Sequence, residues 1–384
     1  MIANDVLEAM RLVVNEDASL HEPNLIGNEW LYIKDCLDTG WVSSVGSYVE
    51  KFGHMLSEVT NVSHAVPTIN GTSALHVCLL LAGVRAGDEV IVPALSFVAV
   101  ANAVSYCNAI PHFADSSEST LGLDPKKLSE HLADIGNFRD GDLVNKKTGR
   151  RIAAVVCMHA FGHPASLDEI LTVCQDFELP LIEDAAESLG SYYKDSHTGK
   201  YGLLSALSFN GNKIITTGSG GAILTESAEL AARAKHLTTT AKKPSPWEFD
   251  HDQIGYNYRL ANINAAIGCA QLENLNIFIE NKRNLAKRYE TAFQGLAGVK
   301  FFTEPKSCRS NYWLNLIILE DAFEKFRDEV LHLLNNSGLM SRPAWKPLST
   351  LAPYNDCPQM DLSVSRSLYK RIINIPSSAQ LGDA

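Results

Sequence analysis

The sequence predicts an α/β protein with a mainly parallel sheet, and two observations lead there. Between about residues 70 and 225, short β-branched runs alternate with stretches of helical periodicity, the pattern of a parallel sheet covered on both faces. Two of these runs, Ala153 to Met158 and Leu181 to Asp184, flank a helical pattern and so make a βαβ unit. Val90-Ile91-Val92-Pro93 reads as a buried strand stopped by proline. In the helical pattern, Leu167, Ile170, Leu171 and Cys174 recur at helical spacing, with Ser166 as cap and Glu169 as the capping-box acid. Leu204 to Leu207 is a further strand-like run. The stretch from Asn264 to Arg288 is helical in pattern and links a large lobe to a smaller one. Arg342-Pro343-Ala344-Trp345-Lys346-Pro347 belongs to that second lobe.

A chain of 384 residues fits two domains at roughly 150 residues each. The division expected is an N-terminal arm and large domain over 1–262, which carries the candidate site residues Lys213 and Asp184, and a smaller C-terminal domain over 263–384. With 46% hydrophobic and 20% charged residues, the chain has the balance of an ordinary globular protein. No apolar run approaches the ~20 residues needed to cross a bilayer, so no membrane association is expected. Met1 to Asp17 lacks the basic-then-apolar layout of a signal peptide, so the expected location is the cytoplasm. The net charge of −11 argues against nucleic-acid binding, which is driven by Lys and Arg replacing phosphate counterions. Eight cysteines are scattered without a CxxC and read as small buried hydrophobes, with no metal expected.

Three groups of residues point to chemistry. The first is Ser208-Phe209-Asn210-Gly211-Asn212-Lys213, which follows a strand and leads into Gly218-Ser219-Gly220-Gly221. A lysine between a strand end and a glycine-rich turn can be approached closely by a flat cofactor, because glycine presents no side chain. Lys213 is therefore a candidate for imine formation with an aldehyde, against the bland reading of a surface lysine. The second is Asp184, at the carboxyl end of a strand, where ligands of open parallel sheets bind. An anion there can keep a pyridinium nitrogen protonated and make the ring an electron sink, although such an Asp equally serves as a cap. The third is Asn70-Gly71-Thr72-Ser73, which opens a helical pattern through Ala74, Leu75, Val77 and Cys78. Free N–H groups and two hydroxyls suit a phosphate, while Thr and Ser are also ordinary N-caps. Phe97 is placed to stack on a flat ring, and His159, directly after Met158, is placed to line the site. His251, Asp252, Asn257 and Arg259 form a polar cluster that reads ordinarily as a solvated turn. HExxH, GxSxG, GxxxxGK[ST] and GxGxxG are all absent, which removes support for zinc proteases, serine hydrolases, P-loop enzymes and simple dinucleotide-binding folds.

Together these segments resemble the sugar-nucleotide aminotransferases of the DegT/StrS family. The resemblance runs through Gly40-Trp41-Val42-Ser43-Ser44, Asn70 to Ser73, Pro93 to Phe97, Glu183-Asp184-Ala185-Ala186-Glu187, Ser208 to Lys213, Gly255-Tyr256-Asn257-Tyr258-Arg259 and Arg342 to Trp345. It implies a fold-type-I aspartate-aminotransferase-like architecture: a large domain with a mainly parallel sheet plus a smaller C-terminal α+β domain. It also implies pyridoxal 5'-phosphate as cofactor, Lys213 as its Schiff-base lysine and proton shuttle, and Asp184 as partner of the pyridine nitrogen. Gly71, Thr72, Ser73 and Ser208 would surround the phosphate, Phe97 would stack on the ring, and Glu187 would lie near the phenolic oxygen. Asn257 resembles an asparagine that reaches the neighbouring subunit's phosphate, which implies a homodimer. His159, Arg259, Arg342 and Trp345 are the candidate substrate contacts. Two positions depart from many relatives: Ser219 stands where Glu is common, and Ser349 where His is common.

The reaction implied is transamination from L-glutamate to a keto-sugar nucleotide. The subgroup resembled acts at C4 of UDP-4-keto-6-deoxy-N-acetylhexosamines and serves surface glycans such as lipopolysaccharide. Amination at C3, a GDP or dTDP sugar, or a non-catalytic cofactor-binding regulator are the alternatives that the residues leave open.

Overall fold

Valine, isoleucine and alanine fill the central strands because those strands have no wet face. A computed structural model describes residues 2–383. β1 (His64–Thr68), β2 (Glu89–Pro93), β3 (Ile110–Ala114), β4 (Ile152–Met158), β5 (Leu181–Asp184), β6 (Leu204–Ser208) and β7 (Gly221–Thr225) form one sheet in the order β1-β7-β6-β5-β4-β2-β3. The pairings from β6 across to β3 are parallel, and the two made by β7 are antiparallel. Along β4, Ala154 and Val156 enter one core while Val155 and Cys157 enter another on the opposite face. Burying each such side chain contributes roughly 1.5–3 kcal/mol for the larger ones, which explains why the runs are apolar throughout rather than alternating. Covering helices include Gly71–Leu81 and Ala99–Tyr106 on one face and Pro125–Ile135 and Leu167–Asp176 on the other.

Two sequence expectations change here. Ser166 occupies the N-cap position of the helix Leu167–Asp176, but its side chain accepts no helix N–H, so the capping box does not form. Asp168 and Glu169 instead place negative charge in the first turn, where the helix dipole favours it. The stretch 264–288 is not one helix but parts of two, Asn262–Glu273 and Leu275–Phe293, which meet at Asn274.

A second sheet forms from β8 (Val299–Phe301), β9 (Asn315–Leu319), β10 (Arg342–Pro343) and β11 (Ile372–Ile375), in the order β8-β9-β11-β10 and antiparallel throughout. One face, through Ile317, Leu319, Ile373 and Ile375, packs with Leu285, Tyr289 and the amino-terminal residues Val6 and Met10. The other face brings Leu316 and Ile372 into a cluster with Phe161, Trp313 and Trp345. Through Leu95, Ala160 and Phe161, that cluster seats the second sheet against the segments that follow β2 and β4. No helix among the described residues is long and apolar enough to cross a membrane.

Candidate active site

The parallel register sets Met158, Asp184 and Ala206 side by side, so β4 and β5 end together and β6 runs two residues further, to Ser208. Beyond β6, the loop to Lys213 is closed by backbone bonds from Thr217 to Phe209 and from Phe209 to Gly220. These bonds turn Lys213 back over the strand ends. Its Nζ donates to Glu187 Oε1 at 3.2 Å and lies 4.1 Å from the centroid of the Trp313 indole. Asp184 is buried, and its Oδ1 accepts from the Ala186 N–H at 3.1 Å. Burial pushes the Asp184 carboxyl above its ordinary range, although the Ala186 N–H and the Lys213 charge pull the other way. Glu187 accepts the Phe161 N–H at 2.9 Å as well as the Lys213 ammonium, yet burial outweighs both and holds it up at about 7.

A cavity of about 350 Å³ opens over this group. The structure brings Gly71, Thr72, Phe97, Asp184, Glu187, Ser208, Lys213 and Trp345 into its wall. Two glycines make the close approach possible. A Cβ at Gly71 would sit 2.7 Å from Ser208 Cβ, and one at Gly221 would sit 2.5 Å from the Asn70 carbonyl oxygen. The helix that starts at Gly71 is capped by Asn70, whose Oδ1 accepts from the Ser73 N–H at 2.8 Å. Thr72 is therefore not the cap, and the first-turn N–H groups of Gly71 and Thr72 have no intrahelical partner. Phe97 is half exposed on the cavity wall, which leaves a ring face open.

Other expected residues stand elsewhere. Ser73 is buried behind the wall, where its N–H serves the cap. His159 is fully buried and does not line the cavity: Nε2 bonds Glu183 Oε2 at 3.0 Å and Nδ1 accepts from the Ala165 N–H. Its position beside the strand ends is as expected, but its ring faces Glu183 on the far side. Arg342, expected as a substrate contact, is exposed on the edge strand β10, where it donates to Asn335 Oδ1 and the Ser341 carbonyl. Asn257 and Arg259 also lie away from the cavity of their own chain, with Arg259 donating to Asn257 Oδ1 at 3.1 Å. Ser349 is buried, with no hydrogen-bond partner for its Oγ among the described residues.

Trp313, Asn210, Asn212 and Met158 line the cavity without having been singled out in the sequence. For Asn210 and Asn212 the signal was present, since both fall within the Ser208 to Lys213 segment. Trp313 gave none, because a tryptophan before an apolar run ordinarily reads as core and Lys213 is 100 positions away. Among the described residues, no group of three or more His, Cys, Asp and Glu side chains could hold a metal ion.

The arrangement suits a flat cofactor with three handles. A helix start and two hydroxyls can hold a phosphate, a buried and under-supplied carboxylate can face a protonated ring nitrogen, and a sheltered amine can meet an aldehyde. Lys213 Nζ and Glu187 Oε1 are within proton-transfer distance.

Comparisons with known proteins agree with that chemistry. Residues 23–384 match the DegT/DnrJ/EryC1/StrS aminotransferase family. A GDP-perosamine synthase from Escherichia coli O157:H7 is 36% identical, over 95% of this chain and 94% of its own. The UDP-4-amino-4,6-dideoxy-N-acetyl-beta-L-altrosamine transaminase of Campylobacter jejuni is 29% identical, over 91% of this chain and 88% of its own. The crystal structure of a DegT DnrJ EryC1 StrS aminotransferase from Brucella abortus is 28% identical and superposes with a TM-score of 0.83, covering 92% of this chain and 90% of that one. This chain belongs to the DegT/DnrJ/EryC1/StrS aminotransferase family and is a pyridoxal-phosphate-dependent sugar aminotransferase.

Proposed function

We propose that the protein transfers the amino group of L-glutamate to C4 of a keto-sugar nucleotide, UDP-4-keto-6-deoxy-N-acetylglucosamine. The products are a 4-amino-4,6-dideoxy sugar nucleotide for surface-glycan biosynthesis and 2-oxoglutarate. The observation that carries the reading is the sheltered amine of Lys213 held 3.2 Å from Glu187 in the same cavity as the buried Asp184. Bound pyridoxal phosphate supplies the electron sink that makes the donor's α-proton removable. Around it, Gly71, Thr72 and Ser208 bind the phosphate, with Ser73 serving through the cap behind them, and Phe97 covers the ring. Asp184 holds the proton on the ring nitrogen, and Lys213 Nζ takes up and returns the α-proton. Glu187 Oε1 accepts from Nζ and lies close enough to exchange a proton with it. Trp345, stacked on Phe161 at 4.4 Å, is a flat wall for the sugar nucleotide.

The C4 position is supported by the Campylobacter relative, named as a transaminase of a UDP-4-amino-4,6-dideoxy sugar. A GDP-linked keto-sugar is the second reading, favoured by the relatives named GDP-perosamine synthases. The working unit in this reading is a homodimer in which Asn257 and Arg259 face the neighbouring site. Trp247, Phe249 and Ile254 are each at least 79% exposed on the same loop region, as a surface awaiting a partner would be. Residues 1–262 and 263–384 are read as the large and small domains of each subunit, and the location as the cytoplasm.

The test is to incubate purified protein with glutamate and a panel of UDP-, GDP- and dTDP-linked keto-sugars, and to determine which carbon gains nitrogen. Amination at C4 of the UDP sugar is expected. Preference for a GDP sugar would install the second reading, and a protein that binds cofactor without forming 2-oxoglutarate would be a non-catalytic regulator.

A further inference from the structure

We infer that Trp313 is a positioning residue that parks the unattached Lys213 side chain against Glu187, which rests on the aminotransferase reading above. Transamination leaves this lysine free of the cofactor for part of every cycle, and a free ammonium in a nearly closed pocket needs a counterpart. The structure supplies two. Glu187 Oε1 lies on one side at 3.2 Å, and the indole face of Trp313 lies on the other at 4.1 Å from Nζ. Only 12% of the lysine side chain is exposed, so water contributes little.

Trp313 is fixed from every direction. Its Nε1 donates to the Asn212 carbonyl at 2.7 Å, one residue before the lysine, which ties the indole to the backbone it serves. Its own N–H bonds Asn311 Oδ1 at 2.8 Å, and Asn311 Nδ2 donates to the carbonyls of Glu187 and Leu189. The same short loop therefore holds both partners of the lysine. Behind it, the buried ammonium of Lys282 donates to the carbonyls of Trp313 and Ser377. A tryptophan needed only as core filler would not require its indole nitrogen bonded beside Lys213 and its face turned to Nζ.

The indole face attracts Nζ through its ring quadrupole and holds it beside Glu187. Trp313→Phe keeps a weaker face and loses the Asn212 bond, whereas Trp313→Leu has no face. In cofactor-free protein, reductive methylation read by mass spectrometry should label Lys213 about tenfold faster in Trp313→Leu and less than that in Trp313→Phe, because Nζ is no longer held between the indole and Glu187. In cofactor-loaded protein, the maximal rate of the glutamate half-reaction should fall in the order wild type, Phe, Leu, with the KM for glutamate unchanged within about threefold. Equal labelling of Lys213 in wild type and Trp313→Phe, or a change confined to KM, would overturn the assignment. The Phe variant carries the test if the Leu variant does not fold. Absence of any glutamate-driven change in the wild type would strike the aminotransferase reading instead, and the labelling result would still decide the role of Trp313.

Discussion

Glu183 and Glu187 stand four residues apart at the same strand end, both buried, and they are treated in opposite ways. Glu183 accepts four close hydrogen bonds: from His159 Nε2 and from the N–H groups of Gly199, Tyr201 and Gly202. Burial alone would raise its carboxyl, but His159 and those N–H groups more than offset it and hold the group below its ordinary range. Glu187 has two close donors to its carboxylate, the Lys213 ammonium and the Phe161 N–H, and burial wins. The number of donors, not depth, separates a fixed structural anion from an acid poised near neutrality. One pins the sheet to the 199–202 loop, and the other faces the cavity.

The contrast can be broken most severely at its lysine. Lys213→Ala should cut turnover by ~10²–10⁴-fold or more, since a positioned proton-transfer group contributes that much, and steady-state 2-oxoglutarate formation reads it directly. Removing the structural acid should act on stability instead. Glu183→Ala leaves buried donors unpaired and should lose about 3–5 kcal/mol of unfolding free energy in denaturant titration. Glu187→Gln, by comparison, should cost less, because an amide oxygen there can still accept from Lys213 and from the Phe161 N–H, and the burial penalty on the carboxylate is removed.

The pH dependence sharpens the same point. A carboxyl ordinarily near 4.5 and raised to about 7 in the fold favours the protonated native state. Its contribution to stability is therefore fully present below about pH 4.5 and is lost as pH rises through about 7. Melting curves of cofactor-free wild type should show a decline on the order of 2–3 kcal/mol over that window, which Glu187→Gln should flatten. The smallest effect is expected at Arg342, which is exposed and bonded only to its neighbours. Arg342→Ala should change stability by no more than about 0.5 kcal/mol and leave the KM for the keto-sugar unchanged.

How much of this was legible in the sequence depended on whether the signal was local. β2 and β4 could be read because strands buried on both faces leave nearly unbroken apolar runs, β5 because Leu181 and Ile182 follow a helical pattern, and Lys213 because a strand and a glycine turn bracket it. β10 has two residues and β8 three, too short for any periodicity to show, so the second sheet was visible only as a lobe. His159 shows the limit at a finer scale. Its place after a strand fixed where its backbone lies, but successive side chains alternate in direction, and Met158 took the cavity side while His159 turned to Glu183. Arg342, on the edge strand, and Trp345, two residues beyond its end, went to different surfaces. The part played by Trp313 was invisible because it depends on a contact between distant loops, not on any spacing along the chain.

The most direct single measurement is to load the protein with pyridoxal phosphate, trap the linkage with borohydride, and map the modified peptide by mass spectrometry. The cofactor mass is expected on the peptide carrying Lys213 and on no other. Its appearance on the fully buried Lys282, or on a surface lysine with Lys213 unmodified, would contradict the assignment of the site.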